Sequence, residues 1–444
     1  MSLLYSIKST PSPKPSLPSA AWGRGFRFVS TLFCLLLISC ANPDNRTTLK
    51  FWTFGREGEV VGELLAEFER AHPGVHVEVQ NMPLLAAHEK LLTAFAGDAL
   101  PDLCQLGNTW IPEFATLGAL EPLQPYVDAS NVVRSDDYFA GIWDTNVING
   151  ALYGVSWYVD TRLLFYRKDL LAQAGFDHAP RDWAEWRRAM AAIKKNQGAD
   201  KYAIYLPLNE FEPLLNLAIQ QSDPLLIDNG TRGNFESPGF RHTLDFYVEA
   251  FREQWAPPLS NIQLPNVWDE FGKGYIAFYI TGPWNIGEFK RRLPASVQGK
   301  WGTAPLPGTN GPGGGAAGGS SLAIFQSSKH KRLAWELIEF LSEVKQQQRF
   351  YVLTGDLPSR RGAWDFTALE EDDYTHAFRA QLELVKPTPK VPEWERIASE
   401  MQLTAERVVR GGESTDAALR ALDAKIDEVI LAKRRTLLAR EERQ

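Results

Sequence analysis

The sequence predicts an α/β fold in two domains, with a mainly parallel sheet covered by helices on both faces. Short apolar stretches alternate with segments whose apolar residues recur every three or four positions, which is the order of strands and amphipathic helices. The chain has 444 residues, and a single hydrophobic core seldom serves so long a chain. Its 44% hydrophobic and 23% charged residues are ordinary for a globular protein.

The first strands and helices follow one another in strand–helix–strand order. Leu49–Phe54, Val75–Val79 and Leu103–Leu106 are predicted strands, because they are short and rich in β-branched or apolar residues. Gly58–Ala71 and Leu84–Ala96 are predicted helices, since their apolar residues recur with a helical period. Short strands joined by helices pair in parallel, so this unit predicts the start of a parallel sheet.

The remaining elements are predicted in the same way. Further strands are expected at 163–166 and 275–280, and further helices at 169–174, from Asp182 onward, and at 335–349, 397–409 and 415–434. Asp182 is a suitable N-cap for its helix, because its carboxylate can accept from free N–H groups of the first turn.

The N-terminus has the features of an export signal. An apolar stretch, Phe28–Ser39, follows Arg24 and Arg27, and it is too short to span a bilayer permanently. It ends in Leu37–Cys40, which resembles the lipobox of bacterial lipoproteins, in which the Cys is acylated and becomes the first residue. Residues 1–39 are therefore expected to be a signal peptide and Cys40 the lipid attachment site. The alternative is a buried Cys after an ordinary apolar stretch.

This N-terminus predicts a periplasmic or cell-envelope protein held at the membrane by its lipid alone. No other stretch of the sequence approaches the length of a membrane helix. Residues 9–20 form an unusually long Ser/Pro-rich leader, which indicates either an extended signal or an early start codon. Ala41 after the Cys carries no acidic retention signal, so the sequence leaves the inner and the outer membrane open.

Composition and motif spacing exclude several functions. A net charge of −7 argues against nucleic acid or an anionic membrane surface as the ligand. The histidines show no metal-ligand spacing, and neither a P-loop nor a GxSxG motif is present, so no metal, cofactor or catalytic residue is predicted. Cys104 lies in a strand-like stretch and is expected to be a buried, inert thiol. The 14 Trp residues suit sugar stacking, although most Trp serve cores.

Six segments in order resemble the family 1 extracellular solute-binding proteins, the sugar-capturing subunits of ABC importers. They are FWTFGREGE with EFERAHPGVHVEV, ALPDLCQLGNTWIPEFATLGALEPL, YGVSWYVDTRLLFYRKDLLAQAGF, AFYITGPWNIGEF, GGSSLAIFQSSKHKRLAWELIEFLS and TGDLPSRR. The resemblance covers nearly all of residues 48–434. It implies a two-lobed periplasmic-binding-protein fold of type II-like form, with a ligand cleft between the lobes.

In this fold the chain crosses between lobes three times, here near Tyr158–Thr161, Gly319–Ala323 and Asp356–Ser359. The implied N-terminal lobe is 40–158 with 324–356, and the implied C-terminal lobe is 159–322 with 357–444. Contacts from both lobes stabilise a closed, loaded form that an importer can recognise. The expected partners are a small carbohydrate and the permease subunits, and the protein is expected to be a monomeric binding protein and not an enzyme.

Ligand contacts are expected at the strand ends and crossovers. The candidates are Phe54, Arg56, Glu57, Asn108, Thr109, Trp157, Tyr158, Asp160, Glu210, Trp284, Gly319 and Arg360. Open α/β sheets bind ligands beyond the carboxyl ends of their strands, which selects the loops around Phe54 and Asn108. In the family the Trp of the GPW segment stacks on a sugar ring, and Tyr158 offers a ring with a hydroxyl.

Most of these candidates are also consistent with a purely structural role. Phe54, Arg56 and Glu57 are equally consistent with a solvated loop. For Trp284 the ligand site is favoured, and core packing is the alternative. Relatives often carry an acidic residue near this position, where this chain has Gly107 and Asn108. A carboxylate contact with the ligand is therefore not carried over to this chain. The remaining structural roles are an ion pair of Asp160 with Arg162, an exposed helix start at Glu210, and a surface ion pair at Arg360. Gly319 either lets the backbone approach a ligand closely or serves as a hinge. Trp394 is a weaker stacking candidate than Trp284, and core packing is its favoured role.

Three functions are compatible with these residues. The first is capture of a neutral di- or oligosaccharide, such as maltose or trehalose. The second is a lipid-anchored glycoside hydrolase, in which Glu57 and Glu210 face each other across the cleft. The third is capture of another solute, such as a glycerol phosphate ester or a peptide. Phosphate capture needs several basic groups, and the candidate set offers only Arg56 and Arg360.

Overall fold

The computed structural model describes residues 46–441. The predicted signal peptide and the lipid site at Cys40 lie outside the described residues. The strands are β1 (Thr47–Phe54), β2 (Val75–Met82), β3 (Leu103–Gly107), β4 (Val147–Ile148), β5 (Ala151–Leu152), β6 (Val155–Asp160), β7 (Leu163–Arg167), β8 (Ile204–Tyr205), β9 (Leu226–Ile227), β10 (Arg232–Gly233), β11 (Phe278–Thr281), β12 (Trp301–Ala304), β13 (Gly318–Ile324) and β14 (Leu357–Pro358).

Helices make up most of the remaining structure. The α-helices are α1 (Gly55–Val60), α2 (Gly62–Ala71), α3 (Leu84–Ala96), α4 (Ile111–Thr116), α5 (Gln124–Asp128), α6 (Ala140–Asp144), α7 (Lys168–Gln173), α8 (Trp183–Gln197), α9 (Glu212–Ala218), α10 (Pro238–Arg252), α11 (Val267–Gly272), α12 (Trp284–Arg292), α13 (Lys331–Ser342), α14 (Val344–Thr354), α15 (Thr367–Glu370), α16 (His376–Leu382), α17 (Trp394–Val409), α18 (Thr415–Lys425) and α19 (Ala432–Glu441). Short 3-10 turns span Asn108–Trp110, Ser135–Asp137 and Arg361–Trp364, and a π-helical turn spans Ile426–Ile430. Along 46–441, every helix is too short or too polar to cross a bilayer.

Two large sheets form the centres of the two lobes. The N-terminal sheet has the order β14-β6-β13-β3-β1-β2, and the C-terminal sheet has the order β12-β7-β11-β8. Mixed sheets with flanking helices are confirmed. The predicted predominance of parallel pairing is wrong, because in these two sheets only β1 with β2, β1 with β3, and β8 with β11 pair in parallel within 46–441. Strands that arrive from the other lobe run in the opposite direction and pair antiparallel.

The sheets are buried on both faces, as their apolar strands predict. Successive residues of β7 show how: Leu163 and Phe165 pack into one core with Trp301, while Leu164 on the opposite face packs with Trp186. Side chains alternate across a strand, so a strand that is apolar at every position can serve two cores. In the N-terminal sheet the same two-sided burial encloses Cys104, whose thiol pKa is raised by burial, in agreement with an inert thiol.

The three crossovers place the chain in each lobe twice. Only Thr161 and Arg162 separate β6 from β7, so the first crossover adjoins its predicted position. The second crossover was predicted at Gly319–Ala323, but these residues belong to β13, which pairs with β3 and β6. The crossover therefore lies earlier in the chain, at 305–317. The third adjoins β14, which pairs with β6 before the chain enters α15.

These pairings shift the predicted lobe boundaries. Residues 159–160, 318–322 and 357–358 were assigned to the C-terminal lobe, and backbone hydrogen bonding places them in the N-terminal sheet. The sequence pattern shows that a strand is present but does not show which sheet it joins. The assignment of the other residues to lobes stays a proposal.

Candidate ligand-binding cleft

A cavity of about 440 Å³ lies between the two sheets; we call it the principal cavity. Residues from both lobes and from two crossovers line it: Phe54, Leu84, Gly107, Asn108, Thr109, Trp110, Tyr158, Asp160, Arg162, Phe211, Glu212, Leu215, Asn216, Ala316, Ala317, Gly318, Gly319, Ser320, Thr388, Trp394 and Glu395. The parallel strands β1 and β3 both end at this edge, and the residues that follow them therefore meet there.

Asn108 supplies a buried amide at the wall of this cavity. It opens the 3-10 turn Asn108–Trp110 directly after β3, and its Oδ1 accepts a hydrogen bond from Ser321 Oγ at 3.2 Å. Its Nδ2 has no hydrogen-bond partner among the described residues. A buried donor without a partner costs free energy, so a ligand oxygen that accepted from it would be bound favourably.

Tyr158 presents a neutral phenol to the cavity. Its hydroxyl accepts from Ser320 Oγ at 3.0 Å and from Gln105 Nε2 at 3.4 Å. Burial raises the pKa of this hydroxyl well above its usual value, and the negative charge of nearby Glu57 adds to the shift. The side chain therefore stays protonated at any physiological pH, and its hydroxyl also forms a hydrogen bond with Glu57.

A charged group closes one side of the principal cavity. Arg162 donates to Asp160 Oδ1 at 3.2 Å and lies 3.8 Å from Glu212. Burial raises the pKa of Asp160, while the adjacent guanidinium opposes that shift. The structural role considered for Asp160, an ion pair with Arg162, is thus present, and Asp160 also lines the cavity.

Beyond Arg162 lies a second cavity, of about 320 Å³, which we call the Trp284 pocket. It is lined by Arg162, Glu210, Glu212, Pro213, Tyr279, Ile280, Thr281 and Trp284. Trp284 begins α12 after a Gly-Pro turn, and a Cβ at Gly282 would lie 2.0 Å from its ring, so only Gly permits this placement. Asn261 Nδ2 donates to Glu210 at 2.7 Å, and burial raises the pKa of Glu210.

Gly319 lines the principal cavity where β13 passes β6. Its φ of +114° lies in the region that favours glycine, and a Cβ there would lie 2.3 Å from the carbonyl oxygen of Tyr158. Strand pairing therefore accounts for the glycine, because its backbone closely approaches that of Tyr158. The predicted close approach of this backbone to a ligand stays a prediction.

The structure places four predicted site residues outside both cavities. Arg56 is exposed and pairs with Glu59, and Glu57 is buried in α1. Trp157 is a core residue that stacks on Phe350 at 4.4 Å, because odd and even positions of β6 face opposite sides of the sheet.

Arg360 is the fourth of these residues. It pairs with Asp137 at 2.7 Å and donates to the carbonyl of Ser342, in agreement with a structural ion pair. The other eight candidates line one of the two cavities: Phe54, Asn108, Thr109, Tyr158, Asp160 and Gly319 the principal cavity, and Glu210 and Trp284 the Trp284 pocket. Their contact with a ligand stays a prediction.

Some lining residues were missed by the sequence analysis. Trp110 and Phe211 add aromatic rings, and Trp394, first favoured as a core residue, is buried and also lines the cavity. Asn216 accepts from the backbone N–H of Ala316 and so fixes the second crossover. The sequence could have indicated Trp110, because it directly follows the candidates Asn108 and Thr109. No local pattern indicates that α17, which begins with Trp394, packs beside the carboxyl ends of β1 and β3.

A two-lobed α/β protein with a small cavity between its lobes has the architecture of a solute receptor. The chain belongs to the bacterial extracellular solute-binding protein family, whose model matches residues 55–348. The predicted family and the predicted two-lobed α/β fold are confirmed. Across 46–441 the acidic, His and Cys side chains form no cluster suited to a metal ion.

Individual proteins are similar over most of the chain. The structure of the sugar-binding protein MalE of the phytopathogen Xanthomonas citri is 59% identical, covers 88% of this chain and 99% of its own, and superimposes with a TM-score of 0.87. The diacetylchitobiose binding protein DasA of Streptomyces coelicolor is 25% identical over 366 residues, which are 80% of this chain and 83% of that protein. The GacH receptor of Streptomyces glaucescens, at 23% identity, covers 86% of this chain and 98% of its own with a TM-score of 0.72, and shows the same fold.

Proposed function

We propose that this protein captures a neutral di- or oligosaccharide, such as the α-glucosides maltose or trehalose, and delivers it to an ABC importer. The observation that carries the proposal is the principal cavity, whose volume of about 440 Å³ lies in the range of small-ligand sites. The similarity to the sugar-binding MalE of Xanthomonas citri and to the diacetylchitobiose binding protein supports a carbohydrate.

The lining suits the two kinds of surface on a sugar ring. Trp110 and Phe211 are partly exposed and offer aromatic surface to the apolar C–H face of a pyranose. The hydroxyls of the sugar can form hydrogen bonds with the side-chain amide of Asn108 and the phenol of Tyr158. Because aromatic and polar groups come from both lobes, a bound sugar would stabilise the closed arrangement of the lobes.

Binding without chemistry is favoured over glycoside hydrolysis. A hydrolase needs two carboxyl groups on either side of one glycosidic bond. Glu57 does not line either cavity, and Glu210 lines the Trp284 pocket, so the two candidate acids do not share a cavity. The family consists of solute-binding proteins, and we infer that this chain likewise lacks hydrolytic activity.

A phosphate ester suits the principal cavity less well than a neutral sugar. Arg162 lines it, but the guanidinium is already paired with Asp160 and lies near Glu212. A phosphate would have to compete with one carboxylate and would face the other across the same cavity, which is repulsive.

The proposed location is the cell envelope, with Cys40 as the lipid attachment site. The family is extracellular, which supports export, and the anchor rests on the lipobox-like Leu37–Cys40. Metabolic labelling with a radioactive fatty acid tests the anchor directly. We expect label and membrane association in the wild type and neither in C40S; an unlabelled, fully released wild type would contradict it.

Calorimetric titration of the purified protein with a panel of neutral sugars tests the ligand. The panel includes maltose, trehalose and an arabino- and a chito-oligosaccharide, with glycerol 3-phosphate as the charged comparison. We expect saturable binding of at least one neutral sugar. Binding of glycerol phosphate alone, or of nothing, would contradict the proposal, and NMR detection of hydrolysis that E57Q abolishes would replace binding by catalysis.

A further inference from the structure

A proline-rich segment forms part of the wall of the principal cavity. Residues 386–393 have the sequence KPTPKVPE, and we call them the proline strap. Thr388 in this strap lines the cavity, and so does Trp394, the first residue of α17, which follows the strap directly. The position of the strap therefore affects the shape of the cavity.

The backbone of the proline strap has few attachments to the rest of the protein. Its three prolines have no N–H group, so they cannot donate to a neighbouring segment. At the first residue of the strap, the N–H of Lys386 donates to the carbonyl of Gly315 at 3.0 Å, and its carbonyl accepts from Ala317 at 2.8 Å. Within 46–441, no backbone-to-backbone hydrogen bond joins 387–390 to another segment. The middle of the strap is therefore held by side chains.

The ammonium of Lys390 provides such an attachment. It donates to the backbone carbonyl of Asp144 at 3.0 Å, to the carboxylate of Asp144 at 2.7 Å and to the carbonyl of Val147 at 3.0 Å. An ammonium has three N–H donors, so all of them are used. Asp144 is the last residue of α6, and a lysine that donates to the final carbonyls of a helix is a favourable arrangement.

These hydrogen bonds connect parts of the chain that pack against different sheets. Val147 packs against the core that contains Trp157 of the N-terminal sheet. Val391, the neighbour of Lys390, packs in the core that contains Leu164 of the C-terminal sheet. The ammonium therefore fixes the middle of the strap against a segment on the other side of the cavity-lining region.

Thr388 lies between the two attachments of the strap, at Lys386 and Lys390. Its hydroxyl has no hydrogen-bond partner among the described residues 46–441. A hydroxyl can both donate and accept, which suits the hydroxyls of a sugar. It contributes most to affinity when the strap is already fixed, because ordering a segment during binding costs free energy.

We propose that Lys390 is a positioning residue for the ligand: its ammonium fixes the proline strap and so places the hydroxyl of Thr388 at the wall of the principal cavity. This inference rests on the proposed function. Removal of the ammonium leaves the strap held by the backbone of Lys386 and by the packing of Val391. Thr388 then loses its fixed position, and the sugar loses its contact with this residue.

A double-mutant cycle with K390M and T388V tests whether the two residues act together. Met keeps the apolar stem of Lys without the ammonium, and Val keeps the shape of Thr without the hydroxyl. Calorimetric titration measures the dissociation constants for maltose and trehalose. We expect each single variant to bind about three- to tenfold more weakly, which is the effect of one hydrogen bond. The double variant should bind about as weakly as the weaker single variant. Losses that multiply in the double variant would overturn the proposal, because Lys390 would then act independently of Thr388.

K194M is a matched control for the loss of a lysine that binds backbone carbonyls. Lys194 in α8 donates to the carbonyls of Ala199 at 2.9 Å and Lys201 at 2.8 Å, and it lines neither cavity. Its removal should leave the affinity for both sugars unchanged. An equal loss of affinity in K194M and K390M would overturn the proposal, since the effect would not depend on the strap.

A second readout needs no ligand. In protein labelled with 5-fluorotryptophan, the ¹⁹F resonance of Trp394 is the one that W394F lacks. Because Trp394 follows the strap directly, its resonance should move in K390M and stay in K194M. A resonance that K390M leaves in place means that the ammonium does not hold the strap, and the inference is then wrong even if K390M binds sugar weakly.

Small-angle X-ray scattering separates the strap from the arrangement of the lobes. The radius of gyration of the ligand-free protein should be the same in the wild type and in K390M. A changed radius would overturn the proposal, because the weaker binding would then come from a different arrangement of the lobes.

These readouts separate this inference from the proposed function. If neither maltose nor trehalose binds to the wild type, the contact of Thr388 with an α-glucoside is wrong, and the wider sugar panel shows whether carbohydrate capture itself fails. If the wild type and K390M bind these sugars equally well, carbohydrate capture stands and the role of Lys390 is wrong.

Discussion

Asp356 is expected to make the stability of the protein depend on pH. The residue follows Gly355, the left-handed residue that ends α14, and precedes β14 at the third crossover. Burial raises the pKa of its carboxyl from 3.8 to about 7, and the neighbouring carboxylates of Glu57 and Asp160 add to the shift. A hydrogen bond with Thr354 lowers the pKa of this carboxyl without cancelling the effect of burial.

The sign of the effect follows from where the proton is bound. Between about pH 4 and pH 7 the folded protein keeps the Asp356 proton and the unfolded chain has lost it. The free energy of unfolding therefore falls as the pH rises through this window and levels off above about pH 7. An Asn at this position cannot ionise, so D356N should gain stability over the wild type as the pH rises.

The rise of the pKa of Asp356 from 3.8 to about 7 corresponds to at most about 4 kcal/mol. Because the side chain is only partly buried, solvent screens part of the interaction, and we expect a gain of about 1–2 kcal/mol for D356N near pH 8. Near pH 4.5 the two proteins should differ much less. Urea unfolding followed by circular dichroism at both pH values measures the difference.

The exposed Asp200 provides the matched control, since D200N changes the same chemical group at the surface. Its stability difference from the wild type should be small, because the side chain is exposed and is not packed against the core. A difference between D356N and the wild type that does not change with pH would refute the reasoning, because it would show that Asp356 is ionised to the same degree in the folded and unfolded protein.

Three further changes test the cavity and the core. G319A should lower the free energy of unfolding by about 2 kcal/mol or more, because its φ is strained for alanine and the new Cβ would meet Tyr158; thermal unfolding measures it. N108A should weaken sugar binding by about 1–3 kcal/mol in calorimetric titration while the thermal midpoint changes little, and an unchanged affinity would remove the amide from the site. W157A should cost about 3–5 kcal/mol of stability in urea unfolding, and a loss of affinity without that cost would return Trp157 to the site.

The order of strands and helices could be predicted because it is encoded locally. Leu84–Ala96 begins and ends where its periodicity predicted, since the helix lies between a proline and a glycine. The predicted helix at 335–349 is instead two helices, α13 and α14, separated by Glu343 in an extended conformation. The apolar period continues across that break, so the pattern alone could not show it.

The local sequence pattern could not predict which distant strands pair with one another. β13 is followed by a long helix, as a parallel strand would be, yet it pairs antiparallel with both β3 and β6. The residues that pair with β13 lie far from it in the sequence, so no local pattern shows in which direction the strand runs. For the same reason the sequence favours core packing for Trp394, although α17 reaches the principal cavity from the far end of the chain.

Trp284 lies beside the first crossover, because its ring stacks on Arg162 between β6 and β7. The sequence favoured Trp284 as a ring that stacks on the sugar, and the structure separates it from the principal cavity by one side chain, Arg162. Arg162 is the last residue before β7, and its partner Asp160 is the last residue of β6. The guanidinium of Arg162 contacts Asp160, Glu212 and Trp284 at this connection between the two sheets. The sequence pattern could not place Trp284 relative to the principal cavity, because their separation depends on a side chain more than 100 residues earlier in the chain.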